Sequence, residues 1–141
     1  MKGYQMRINR FCLSGVFGIF PLMLFAQLTL SIEISGLKNN EGQIHLELRN
    51  ELEETIAAAS ENLSGLRCVI VIRDLEPGKY SFKYFHDANN NKVLDTNWLG
   101  IPKEGFGFSN DPGISFGPPP SEKILFELNE TTVLTTSPKY F

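Results

Sequence analysis

The sequence predicts an all-β fold, a small antiparallel β-sandwich formed by the chain from about Gln27 onward. Three observations carry this. Short segments alternate apolar and polar residues with a period of two, turn-forming residues separate them, and no stretch shows a convincing helical pattern. At 141 residues, with 42% hydrophobic and 11% aromatic content, the chain has room for one domain with one packed core, and it is neither disordered nor fibrous.

The first strand is expected where Leu28, Leu30, Ile32 and Ile34 alternate with Thr29, Ser31, Glu33 and Ser35. A turn follows from Gly36 to Gly42, and Ile44, Leu46 and Leu48 then alternate with His45, Glu47 and Arg49, so the two segments are expected to pair as a hairpin. Residues 51–63 are rich in Glu and Ala and are expected to make a short helical turn or a surface excursion. Leu66 to Arg73 is apolar on both faces in its middle, as a central strand would be, and Cys68 shares parity with Ile70 and Ile72 as a small buried hydrophobe. Asp74-Leu75-Glu76-Pro77-Gly78 reads as a tight turn with Gly78 at a left-handed position. Lys79 to His86 follows with Tyr80, Phe82 and Tyr84 on one face, and Leu75, Tyr80 and Phe82 are expected in the core. From Asp87 to Pro120 the chain becomes loop-like, a length that in compact domains is usually functional or carries local structure of its own. Glu122–Leu128 and Thr131–Ser137 are expected as closing strands. Six or so short strands of this kind suit an immunoglobulin-like or transthyretin-like sandwich.

Residues 1–26 read as a secretory signal peptide. Lys2, Arg7 and Arg10 form a positive start, Phe11 to Phe25 is almost purely apolar, and Ala26 offers a small residue for cleavage. The apolar run is short for a membrane span and is interrupted by Gly15, Gly18 and Pro21, so no stable span is expected after cleavage. The expected location is periplasmic or secreted. Cleavage takes three of the 13 basic residues and none of the 16 acidic ones, leaving ten against sixteen, a formal charge of −6. That balance argues against nucleic acid or an anionic membrane surface as partner, since both need a basic footprint, and the partner expected of an exported chain is an envelope or extracellular one. Cys12 leaves with the signal, so Cys68 has no intramolecular disulfide partner.

Residues 85–110, FHDANNNKVLDTNWLGIPKEGFGFSN, resemble the signature of the bacterial DUF2141 family, which reads H-D-x-N-x-N-G-K-L-D-T-N-x-x-G-x-P-x-E-G-x-G-F-S-N. Looser matches follow in Gly36-Leu37, Leu75-x-Pro77-Gly78-x-Tyr80 and Phe116-Gly117-Pro118-Pro119. The resemblance implies a small exported domain, similar in outline to transthyretin-like and surface-adhesin B-type sandwiches, with no assigned activity. Lys92 stands where the family commonly has Gly, so the bend there is expected to fall on Asn90 or Asn91.

The same loop has the spacing of a calcium site. Asp87, Asn89 and Asn91 fall at positions 1, 3 and 5, Val93 offers a carbonyl at 7, and Asp95 falls at 9, the ligand order of an EF-hand-type loop. Lys92 at position 6 and Trp98 at position 12 depart from it, and two carboxylates suit only weak binding, about 10⁻⁴ to 10⁻³ M. The other reading is that these residues make Asx-turns in a solvated loop. Trp98, Phe106, Phe108 and Phe116 either line a shallow ligand site or plug the open end of the sandwich. His45 and His86 are the only histidines, and no Ser-His-Asp arrangement can be drawn from their spacing. The expected function is a non-catalytic binding or structural module. An enzyme acting on an envelope polysaccharide or peptide through Glu104, Asp111 or His86 is the alternative.

Overall fold

In a computed structural model of the chain, residues 27–113 and 117–141 are described. The expected signal peptide and Phe116 lie outside the described residues. Eight strands and one short helix follow in order: β1 Leu28–Ser35, β2 Gln43–Asn50, β3 Thr55–Asn62, β4 Arg67–Leu75, β5 Gly78–Asp87, β6 Phe106–Phe108, α1 Ser121–Ile124, β7 Phe126–Leu128 and β8 Thr132–Thr136. They form two sheets, one ordered β4-β1-β8 and one ordered β3-β2-β5-β6, with β7 pairing β5 beyond β6. The fold is a small β-sandwich. All pairs are antiparallel except β1 with β8, which is parallel.

The alternation in the sequence identifies the inner faces. Leu30, Ile32 and Ile34 of β1, Ile44, Leu46 and Leu48 of β2, Cys68, Ile70 and Ile72 of β4, and Tyr80, Phe82 and Tyr84 of β5 are all buried, with Leu75 and Leu128 closing the core. Leu75, Tyr80 and Phe82 thus sit where the pattern puts them.

Several expectations are corrected. β1 and β2 do not form a hairpin; the segment between them crosses from one sheet to the other, and β2 pairs with β3 and β5. Alternation reports which face is buried and is silent on the neighbour. Residues 55–62 form a strand and not a helical turn, because Asn50 closes a hairpin by accepting the Leu52 and Glu54 N–H groups, and half-buried Ala57 and Ala59 lie against the core. β4 is an edge strand: Val69 and Val71 are exposed on the outer face, and Leu66, also exposed, precedes the strand. Gly78 does not take the left-handed conformation; Asp74 does, at φ 60°. The bend near position 92 falls on Asn90 (φ 59°) as expected, but also on Lys92 itself (φ 64°). Glu122 to Ile124 are helical, and the strand begins only at Phe126.

Candidate functional site

The outer face of the five-stranded sheet and the long loop after β5 together make the site. β5 ends at Asp87, whose carboxylate is fully buried although it lies on the outward side of the strand. Its Oδ1 accepts the Asn91 N–H at 3.1 Å, and its Oδ2 accepts the Lys92 N–H at 2.7 Å and contacts His45 Nε2 at 3.0 Å. Burial alone would raise the Asp87 pKa, but the donors from Lys92, His45 and Asn91 outweigh it and hold the carboxyl below its usual range. Gly42 (φ 74°) passes against the backbone of Asp87 so closely that a Cβ there would overlap it.

Inside the loop, Asn89 Oδ1 accepts the Asn91 N–H at 3.0 Å and Asn91 Oδ1 accepts the Val93 N–H at 2.9 Å, consecutive Asx-turns. The Asn89 amide donates to Asp95 Oδ2 at 2.6 Å, and the Asn91 amide to both Asp95 oxygens at 3.1 and 3.2 Å. The loop therefore brings Asp87, Asn89, Asn91 and Asp95 into one hydrogen-bonded turn, and the Val93 side chain is exposed. Among the described residues no three His, Cys, Asp or Glu side chains converge as for a metal ion. Glu104 is a member the spacing did not reveal. Its Oε1 accepts the Ala88 N–H at 3.1 Å and its Oε2 the Asp95 N–H at 3.0 Å, so one side chain fastens both ends of the turn.

Beside this turn lies an apolar trough of about 800 Å³. Its floor is Phe106 and Phe108, which point to the outer face of β6 in register with Phe85 and Lys83, while Gly107 lies inward beneath the Tyr84 ring. Leu94, Leu99, Ile101 and Pro102 form one wall, and Lys139 and Phe141 another, with Phe141 stacked on Phe106 at 5.8 Å. Phe106 and Phe108 thus both line one cavity, whereas Trp98 is 89% exposed and is not part of the lining.

His86 and Asp111, two of the acid-base candidates in the sequence, are engaged in hydrogen bonds within the fold. Buried His86 contacts the Glu41 carbonyl through Nε2 at 2.7 Å and the Tyr140 hydroxyl through Nδ1 at 3.3 Å. Asp111 borders the trough and accepts the Thr136 hydroxyl at 2.6 Å. Contrary to the sequence reading, a Ser-His-Asp chain does exist: Ser60 Oγ lies 2.7 Å from His45 Nδ1, whose Nε2 meets Asp87. Strand pairing brings these together across 15 and 42 residues, which spacing along the chain could not show. Ser60 stands exposed on edge strand β3 and lines neither the trough nor the smaller cavity beside β1 and β4. Burial, then the Glu61 charge, push the Cys68 thiol up to about 11, which favours the protonated thiol over the thiolate.

Two sheets supporting one long loop, with an Asx-rich turn and an apolar trough, define a loop-bearing β-sandwich module. The chain belongs to the DUF2141 family, uncharacterized proteins conserved in bacteria, whose model matches residues 32–136, from β1 to β8. No curated protein and no solved structure matches it. No helix among the described residues is long and apolar enough to cross a membrane.

Proposed function

We propose that this chain is an exported, non-catalytic binding module whose working surface is the trough beside the long loop. The observation that carries the reading is the trough itself. Its volume lies within the range of ligand pockets, about 300–1,000 Å³, and its lining is predominantly hydrophobic with few polar groups, as such sites are built. Glu104, Asp111 and His86, the residues through which the enzyme reading would act, are committed to loop and strand hydrogen bonds, which favours binding over catalysis at the trough.

The test is complementation of a deletion strain. Glu104→Gln and Asp111→Asn should retain function once their melting temperatures show folded protein, and Phe106→Asp, which places a charge on the trough floor, should lose it. Loss of function in a folded Asp111→Asn protein together with full function in Phe106→Asp would reverse the assignment in favour of an enzyme. Export has its own check: intact mass of protein from the envelope fraction should lack residues 1–26.

A calcium-binding turn at Asp87–Asp95 is a second element of the proposal. It is favoured by one specific observation, that Lys92, at the sixth position, takes the sharp left-handed turn that EF-hand-type loops give to Gly. Asp87, Asn89, Asn91, Asp95 and the Val93 carbonyl would supply the oxygens, with the two Asn amides turning away from the hydrogen bonds they now give Asp95. Several millimolar calcium should raise the melting temperature relative to chelator, and Asp95→Ala should abolish the difference. An unchanged wild-type melting temperature would leave the turn closed by hydrogen bonds alone.

A further inference from the structure

We propose that the trough takes a single long-chain anionic amphiphile, an acyl chain ending in a carboxylate, with Lys139 meeting the head group. The inference rests on the binding reading above and names its ligand class.

The apolar character of the lining selects the body of the ligand. Leu94, Leu99, Ile101, Pro102, Phe106 and Phe108 supply carbon surface, and Lys139 and Asp111 are the charged groups that border it. A peptide or a sugar laid in such a trough would bury amides or hydroxyls without partners, at a cost an alkyl chain does not incur. Lys139 selects the head. It is half-buried on the trough wall, and it forms no ion pair among the described residues, whereas Asp111, the carboxylate at the border, accepts a hydrogen bond from Thr136. The position of Lys139 is set by the backbone, because its N–H donates to the Phe106 carbonyl at 2.7 Å and its carbonyl accepts the Phe106 N–H at 3.1 Å. Cation and aromatic floor are thereby held side by side, as an amphiphile with adjoining charged and apolar parts requires. Leu99 and Phe141, both exposed, add apolar surface to the lining of the trough.

The experiment is calorimetric titration of the chain, purified in its exported form, with palmitate and with methyl palmitate below their aggregation limits. Palmitate should bind at one site, and shortening the chain by two methylenes should weaken it by about tenfold, the loss expected for that much buried hydrocarbon. Lys139→Gln should weaken palmitate by about tenfold and leave the ester unchanged, and Phe106→Asp should abolish both. Equal binding of acid and ester, or no effect of Lys139→Gln, would overturn the anionic head while leaving the trough a binding site. If neither compound binds while Phe106→Asp still fails to complement the deletion, the amphiphile is excluded and the binding reading stands. Flotation with phosphatidylglycerol vesicles without binding of monomeric palmitate would likewise overturn the proposal, in favour of a lipid surface.

Discussion

At the scale of single residues, the loop after β5 shows how side chains substitute for regular backbone pairing. Asp87, Asn89, Asn91 and Glu104 together accept six hydrogen bonds from five backbone N–H groups of residues 88–95, the Asn91 N–H being shared by Asp87 and Asn89, so the turn is held by carboxylate and amide oxygens. Lys92 is the residue at odds with this arrangement, since a side chain at φ 64° carries the strain that glycine avoids. Lys92→Gly should therefore stabilise the domain by about 1 kcal/mol in urea unfolding, net of the extra freedom glycine has in the unfolded chain. A loss of stability would mean that the lysine makes a compensating contact. Phe82, fully enclosed between the sheets and edge-on to Phe126, gives the opposite case. Phe82→Ala should cost about 3–5 kcal/mol, and a loss under about 1 kcal/mol would contradict its place in the core.

Between elements, two polar clusters do work that hydrophobic patterning cannot express. Glu47 on β2 joins three strands, accepting from Arg49 Nε at 2.7 Å, Thr55 Oγ1 on β3 at 2.6 Å and Lys83 Nζ on β5 at 2.8 Å. Burial pushes its carboxyl up, but Arg49, Lys83 and Thr55 outweigh it and hold the pKa at about 2, against an ordinary 4.5. A carboxyl depressed in the folded state contributes stability that is complete above its unfolded pKa and disappears as pH falls through the folded one. The melting temperature should accordingly drop more steeply between pH 5 and pH 2 in the wild type than in Glu47→Gln. The difference should correspond to about 1–2 kcal/mol, less than the full shift because a quarter of the side chain meets solvent. Ser109 is the second case: fully buried, it receives the Phe82 N–H at 3.0 Å and donates to the Ile124 carbonyl at 2.5 Å, tying β5 to α1. Ser109→Ala leaves both backbone groups without this partner and should cost about 2–3 kcal/mol in urea unfolding. The strand segments at β1, β2 and β5 were legible because each buries one face at period two. β3 was not, since Ala and Glu carry little strand preference and only pairing with β2 makes them extended. The Asx turn could be read from spacing. Glu104 and the Ser60–His45–Asp87 contacts could not, because they arise from partners that only the folded chain brings together.

For the molecule as a whole, closure depends on its last ten residues. β8 runs parallel to β1 and so cannot be reached by a tight turn; it completes the three-stranded sheet from the far end of the sequence. Beyond β8 the same segment joins the two sheets and the site. Thr136 contacts the buried Tyr84 hydroxyl at 3.0 Å and donates to Asp111, and the Tyr140 hydroxyl receives the Lys38 N–H at 3.1 Å and meets His86. Lys139 and Phe106 exchange backbone hydrogen bonds, and Phe141 stacks on the trough floor. Deleting Thr132–Phe141 would strip β1 of one neighbour and uncover Leu30, Ile32 and Ile34 along that edge, a loss large against the few kcal/mol by which domains of this size are stable. The truncated chain should therefore give no cooperative urea transition and should bind a hydrophobic dye at neutral pH. Deleting Phe141 alone, which is 64% exposed, should leave the transition midpoint nearly unchanged while altering the trough. A sharp transition in the longer truncation, at a midpoint close to that of the intact chain, would show that β4-β1 and the five-stranded sheet suffice as a folding unit and that β8 is an addition to it.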